Sequence, residues 1–318
     1  MPQPLDHELL AWAAGFFDGE GSAIAKGTRA RPNYHQLQLS VPQSGGSEIP
    51  EVLATFREAT LGTGRMDGPN RDRVWSWRAR GRADAQSTLA LIWPYLGAVK
   101  RAQATAALAK VDAQFESRRV RRRPDRYRPR FIPHQIASAK AQGENLIERA
   151  WAAGFLDAEG WFGVVRGVKR KRGPDWYRIR VSAPQHSTDG QVPEVLLRLH
   201  RVVDVGRIEV HGESDDFKWV TEGRANVLHV LGLVETWLGS IKLAQAEDAL
   251  AKFDGQQRLK GSGDTCVRGH TYDSIGTKAD GRPRKYCLAC AREGARRIRA
   301  AQGIKPRQFK NLARRYAE

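Results

Sequence analysis

The stretch Leu10-Ala-Trp-Ala-Ala-Gly-Phe-Phe-Asp-Gly-Glu-Gly21 returns 139 residues later as Arg149-Ala-Trp-Ala-Ala-Gly-Phe-Leu-Asp-Ala-Glu-Gly160. Further matches follow in order. Ser40-Val-Pro-Gln43 returns as Ser182-Ala-Pro-Gln185, and Ile49-Pro-Glu-Val-Leu53 as Val192-Pro-Glu-Val-Leu196. Tyr95-Leu-Gly-Ala-Val-Lys100 returns as Trp237-Leu-Gly-Ser-Ile-Lys242. The later offset is 142 or 143, which places an insertion of three residues in the 161–181 hairpin. Two copies of about 115 residues mark a duplicated domain, not a solenoid of short repeats.

Periodicity predicts helix, two strands, helix, two strands and two helices in each copy. Helices are expected at 7–18, 48–60, 83–93 and 99–114, then 145–157, 191–203, 225–236 and 241–253. Strands are expected at 22–28, 34–41, 64–68 and 73–79, then 161–168, 176–182, 206–210 and 217–221. The fold class is therefore α+β, with a four-stranded antiparallel sheet in each half. Expected boundaries are 1–116 for the first domain, 117–133 for an arginine-rich linker, 134–254 for the second domain and 255–318 for an extension.

In the first helix Ala11, Gly15 and Gly19 recur every four residues, as do Ala150, Gly154 and Ala158 in its twin. A stripe of small residues lets two helix backbones approach closely. Each copy thus supplies half of a helix seam best completed by the other. Asp18 and Glu20, with Asp157 and Glu159, lie at the seam's C-terminal end. A helix C-terminus is already negative, so four carboxylates brought together there call for positive charge. Mg²⁺ takes oxygen ligands and can serve phosphoryl transfer by activating water and stabilising a leaving oxygen.

The 318-residue chain has a formal net charge of +18. Residues 1–116 and 131–254 are nearly neutral, whereas 117–130 and 255–318 contribute +7 and +11. Basic charge on that scale points to a polyanionic partner, nucleic acid above all. No apolar run is long enough for a membrane span and no targeting signal is visible, so an intracellular, soluble protein is expected. The three cysteines all lie between 266 and 290, which argues against a disulfide framework.

Ala13-Ala-Gly-Phe-Phe-Asp-Gly-Glu-Gly21 and Ala152-Ala-Gly-Phe-Leu-Asp-Ala-Glu-Gly160 resemble the paired motif of the LAGLIDADG homing endonucleases. The resemblance covers about residues 7–254 and implies two pseudo-symmetric αββαββα domains whose sheets form a saddle over DNA. It implies that Glu20 and Glu159 hold the metals at the scissile phosphates, helped by the carbonyls of Gly19 and Ala158, while Asp18 and Asp157 are structural. Gln43 and Gln185 fall where the family organises water, and Lys100 and Lys242 where it places a basic residue near the phosphates. The implied cofactor is Mg²⁺, with Mn²⁺ expected to substitute and Ca²⁺ to bind without supporting cleavage. The expected protein is a monomer acting on double-stranded DNA in a prokaryotic or phage host or an organelle, encoded free-standing or in an intron. An RNA-binding intron maturase or a non-cleaving DNA-binding regulator is the alternative; retention of both glutamates speaks for the nuclease.

Candidate DNA contacts are Lys26, Arg29, Arg31, Gln36, Gln38, Arg71, Arg73, Arg78 and Arg80 in the first half. In the second they are Arg166, Lys169, Arg170, Lys171, Arg172, Arg178 and Arg180. Two-stranded ribbons fit the major groove, where Arg forks to guanine and Gln to adenine. Tyr34, Trp75, Trp77, Trp176 and Tyr177 interleave with them, some necessarily as core. The two sets are unequal, so an asymmetric target is expected. In the extension, Cys266, His270, Cys287 and Cys290 have the spacing of a closed, structural Zn²⁺ site. A basic helix containing Arg292, Arg296, Arg297 and Arg299 is expected to follow and lengthen the DNA footprint.

Overall fold

Asp6 opens the first helix, α1 (His7–Glu20), by accepting the Leu9 amide at 2.9 Å. Every residue from Leu10 to Asp18 is buried, so this helix is a core element on all sides, as its uniformly apolar sequence requires. In the computed structural model the described residues are 5–28, 31–119, 141–166, 177–187, 189–210, 215–258, 265–266, 268–277 and 283–301.

After α1 come β1 (Ser22–Thr28), β2 (Arg31–Ser44), α2 (Glu51–Ala59), β3 (Arg65–Asp67), β4 (Val74–Arg80), α3 (Arg82–Ile92), a 3₁₀ turn (Trp93–Tyr95) and α4 (Ala98–Arg119). The second copy repeats the order as α5 (Ala141–Glu159), β5 (Trp161–Arg166), β6 (Tyr177–His186), α6 (Glu194–Val203), β7 (Arg207–Val210), β8 (Asp216–Glu222), α7 (Arg224–Val234) and α8 (Ser240–Arg258). Both sheets are antiparallel and share one order, β1-β2-β4-β3 and β5-β6-β8-β7. One face of each packs on the helices. Leu37, Leu39, Val41 and Trp77 are buried in the first, and Ile179, Val181, Ala183 and Trp219 in the second. Phe56 joins sheet to helix, edge-on to Trp77 at 4.9 Å and beside Phe16 and Phe17.

Several boundaries differ from the sequence expectation, three of them informatively. Strand β2 continues past 41 to Ser44, and β6 past 182 to His186, in spite of Pro42 and Pro184. The reason is register: β1 ends its pairing at Ser40 and β5 at Ser182, so each proline sits where its missing N–H faces no strand. Helix α4 runs to Arg119, into the stretch expected as linker from 117; the rest of that stretch lies outside the described residues.

The chain divides into two compact units, Met1–Leu250 and Ala251–Glu318. The second contains the hairpin β9 (Ser274–Thr277) and β10 (Pro283–Tyr286), followed by α9 (Leu288–Ala301). Among the described residues no helix is long and apolar enough to cross a membrane.

Candidate active site and metal cluster

Helices α1 and α5 cross at their glycines. A Cβ on Gly15 would stand 2.0 Å from the Trp151 carbonyl oxygen, and one on Gly154 would stand 2.0 Å from that of Trp12. One turn later a Cβ on Gly19 would meet the Ala158 Cβ at 2.4 Å and the Glu159 Cγ at 3.1 Å. The backbones therefore touch at Gly15 and Gly154, and the partner helix's side chains fill the space over Gly19. That contact delivers Glu20 and Glu159 to one place at the helix ends.

The first acids of each motif do something else. Asp18 is buried; it accepts the Gly97 amide at 2.8 and 3.0 Å and the Trp151 indole N–H at 2.8 Å. Asp157 mirrors it, accepting the Gly239 amide at 3.0 Å and the Trp12 indole N–H at 2.9 Å. Each carboxylate lies just before the N-terminus of α4 or α8, where the helix dipole favours an anion. Burial still pushes both carboxyls up, to about 6, the hydrogen bonds opposing it. These two acids tie the seam together, one indole from each repeat to one carboxylate of the other.

Glu20 and Glu159 are only partly covered. Burial raises Glu20 above the ordinary glutamate range, with Lys100 and Lys242 opposing. Burial, then the charge of Glu20, pushes Glu159 up to about 7, against the pull of both lysines and a hydrogen bond from Gln185. The lysine ammonium groups, themselves held below the ordinary lysine range by burial, donate to the carbonyls of Gly21 and Gly160. Those glycines end the helices in extended backbone at Gly21 (φ −72°) rather than in a left-handed cap. Glycine is needed there for space: a Cβ would sit 2.4 Å from the Phe17 oxygen, and at Gly160 2.3 Å from the Leu156 oxygen.

Gln43 and Gln185 hold equivalent registers, opposite Trp75 and Phe217. Gln185 bonds Glu159, whereas the Gln43 side-chain oxygen is buried with no partner among the described residues. Two carboxylates raised chiefly by burial, an acceptor oxygen left over and neighbouring backbone carbonyls form an all-oxygen donor set that suits a hard divalent cation. Two residues beyond the motif also matter. Glu194 accepts from Ala98 N–H at 3.4 Å, and Ser240 donates to Glu51, so each repeat's α2 or α6 caps the other's α4 or α8. The recurrence of Pro-Glu-Val-Leu was the available signal; its target was not.

Among the described residues, the sheet faces turned away from the helices carry most of the expected DNA contacts. Lys26 and Ile24 lie across from Gln36 and Gln38, and Gln38 and Ser40 from Arg80 and Arg78. Gln38, though on this face, is buried, while Lys26, Gln36, Arg71, Arg73 and Arg80 are exposed. In the second sheet Arg178 and Arg180 share the outer face, opposite Val165 and Gly163. Arg166 does not join them: it falls on the same face of β5 as buried Phe162 and pairs in register with Tyr177. Trp77 is core, its indole N–H on the Thr63 carbonyl at 2.8 Å. Arg29, Lys169, Arg170, Lys171, Arg172 and Trp176, and the side chain of Arg31, lie outside the described residues.

In the second unit Cys266, His270, Cys287 and Cys290 bring their ligand atoms within 4.8 Å of one another. Cys266 Sγ is 3.6 Å from both Cys290 Sγ and His270 Nδ1, and His270 Nδ1 is 3.4 Å from Cys290 Sγ and 3.7 Å from Cys287 Sγ. A tetrahedron around zinc, with bonds of about 2.3 Å to sulfur and about 2.0 Å to nitrogen, has edges of about 3.5–3.8 Å. Gly269, at φ 79°, makes the turn that returns His270 to Cys266, and the Cys266 amide closes it on the His270 carbonyl at 2.7 Å. Asp273 accepts the Leu288 amide at 2.7 Å and fixes the start of α9, which supplies Cys290.

No protein-family model matches the sequence, and no curated protein matches it either. Solved structures do. The LAGLIDADG meganuclease I-AabMI bound to uncleaved DNA is 13% identical, with a TM-score of 0.60 over 82% of this chain and 94% of that one. The I-LtrWI LAGLIDADG homing endonuclease bound to target DNA is 15% identical, with a TM-score of 0.54 over 79% of this chain and 92% of its own. I-GzeII in complex with its DNA target is 14% identical, with a TM-score of 0.54 over 79% and 93%. The chain thus has the two-repeat fold of the LAGLIDADG homing endonucleases.

Proposed function

We propose that this chain, built on the fold of the LAGLIDADG homing endonucleases, is a site-specific endonuclease that hydrolyses both strands of a long, asymmetric DNA target. The observation that carries the reading is the meeting of Glu20 and Glu159 at the end of a seam so tight that neither Gly15 nor Gly154 can bear a side chain. Glu20, Glu159 and the carbonyls of Gly19 and Ala158 would hold divalent ions, Mg²⁺ in the first instance. Bound there, such ions lower the pKa of water and neutralise charge on the leaving oxygen. Gln185 steadies the Glu159 carboxylate, and Gln43 offers its unpartnered oxygen to a water. Lys100 and Lys242, anchored on the two helix ends, keep positive charge beside the place where phosphate would enter. Attack by water on phosphorus with rupture of the P–O3′ bond leaves 3′-hydroxyl and 5′-phosphate ends. Both acids belong to one chain, so a monomer suffices. The Cys266-His270-Cys287-Cys290 cluster holds a structural Zn²⁺, closed by four protein ligands and therefore not catalytic.

The test is cleavage of a randomised duplex library with Mg²⁺ by the wild type, Glu20→Gln and Glu159→Gln. Sequence-specific cutting by the wild type and loss of at least about 100-fold in each variant are expected. Binding without cutting by the wild type would favour a non-cleaving regulator and overturn the nuclease reading.

A further inference from the structure

On the outer face of each sheet a single carboxylate gathers arginines that stand two residues apart. In the first repeat Asp67 accepts from Arg78 at 3.0 Å and Arg80 at 3.3 Å, and lies 3.4 Å from Arg65 Nε. In the second, Glu222 accepts from Arg178 at 2.7 Å and from Arg180 through Nε at 3.0 Å and through Nη2. We propose that Asp67 and Glu222 are positioning residues that set base preference, each presenting an arginine pair to neighbouring guanines in its own half of the target. The proposal rests on the DNA-binding reading above.

Acids on a surface that must meet phosphate are unfavourable unless something covers them. Here the arginines do. The Glu222 side chain is 14% exposed beneath Arg178 at 40%, so solvent, and a ligand arriving from solvent, meets guanidinium rather than carboxylate. Each guanidinium carries five N–H donors in a fixed fork, so a carboxylate on one edge does not exhaust it. The long side chain, otherwise free to swing to the nearest phosphate, is ordered before DNA arrives, which removes part of the ordering cost of binding. Alternate residues of a strand lie about 7 Å apart, close to two base-pair rises of about 3.4 Å. Each clamped pair therefore spans about three consecutive base pairs, at a face where Arg forks to guanine.

The clamps are not related by the internal repeat. The counterparts of Arg78 and Arg80 are Val220 and Glu222, and those of Arg178 and Arg180 are Gln36 and Gln38, as both the sequence offset and the strand registers show. One arginine pair is on β4, next to the edge strand; the other is on β6, one strand nearer the opposite edge. A palindromic target would be served by equivalent positions. This placement instead predicts guanine pairs at non-equivalent positions of the two half-sites.

The test is selection of bound duplexes from a randomised library by the full-length wild type, Glu222→Gln and Asp67→Asn, without added Mg²⁺, alongside affinity for random duplex. The wild type should select an asymmetric site. Glu222→Gln should lose about ten-fold preference at two or three adjacent base pairs of one half, and Asp67→Asn at a set in the other half. Affinity for random duplex should hold or rise, because a negative charge has gone. If either neutral variant does not fold, Arg180→Lys and Arg78→Lys, which keep the charge without the fork, must show the same half-confined loss. Unchanged profiles, or loss spread evenly over both halves, would overturn the proposal while leaving the endonuclease reading intact. A wild type that selects no site overturns both.

Discussion

Adding one methyl group at Gly15 tests whether the helix seam sets the distance between the two glutamates. The new Cβ would lie 2.0 Å from the Trp151 oxygen, and ordinary contact begins at 3.4 Å, so the helices must separate by about 1.4 Å or the residue must shift by as much. The obstacle is backbone on a helix buried on every side, so no side chain can swing away. Overpacking of a well-filled core costs about 1–3 kcal/mol, and a backbone clash belongs at the upper end. For a unit of this size about 3 kcal/mol lowers Tm by about 6–12 °C. A displacement near 1 Å at a reacting centre costs about 100-fold in rate. Gly15→Ala should therefore lose both stability and cleavage, measured by thermal unfolding and by cutting of the selected target. Gly232→Ala is the control: it lies within α7 with nothing within 4 Å of its Cβ, and should gain about 0.5–1 kcal/mol. A Gly15→Ala protein that melts within about 2 °C of the wild type and cuts within about two-fold would refute the reasoning.

Two further outcomes follow from the site and the cluster. Because the Glu159 carboxyl is pushed up to about 7, the folded metal-free protein holds that proton more tightly than the unfolded chain. Its stability contribution therefore falls as pH rises from about 4.5 through about 7, and divalent ions compete with the proton below that point. Stabilisation by a fixed Ca²⁺ concentration, followed as a Tm shift, should be clearly larger at pH 8 than at pH 6, and Glu159→Gln should remove the difference; equal shifts at both pH values count against the shared metal site. Metal analysis of the full chain should give about one zinc per molecule, and Cys287→Ser with Cys290→Ser should abolish it. Zinc retained by that double variant would mean the ion sits elsewhere.

Within the two repeats, what could be read from the chain alone was whatever the repeat marks twice; the cysteine and histidine cluster was legible from its own spacing. Glu20 and Glu159, the glycine stripe, and the paired glutamines and lysines all recur, and their recurrence carried the two-sheet fold as well. What could not be read depends on distance in sequence. The Asp18–Trp151 and Asp157–Trp12 bonds span 133 and 145 residues, and no periodicity announces them. Asp67 returns as Glu209, but Glu222 and both arginine pairs break the internal symmetry, so comparison of the copies hides the clamps, and only strand register shows which arginines each acid meets. Strand ends past Pro42 and Pro184 failed for a similar reason: whether a proline ends a strand depends on whether a neighbour is still there to receive its missing bond.

The crossed bonds of the seam also carry a record of ancestry. Trp12 reaches the acid of the second copy and Trp151 that of the first, each by the same bond at the same position. Contacts that map onto themselves under a two-fold operation are those of an isologous homodimer. A gene encoding one copy could have made all of them with a twin, and fusion needed only a connecting peptide. The corollary is practical: halves of different proteins with this tryptophan, glycine and aspartate in register should be exchangeable, and a half expressed alone should pair with a second copy of itself through the same bonds.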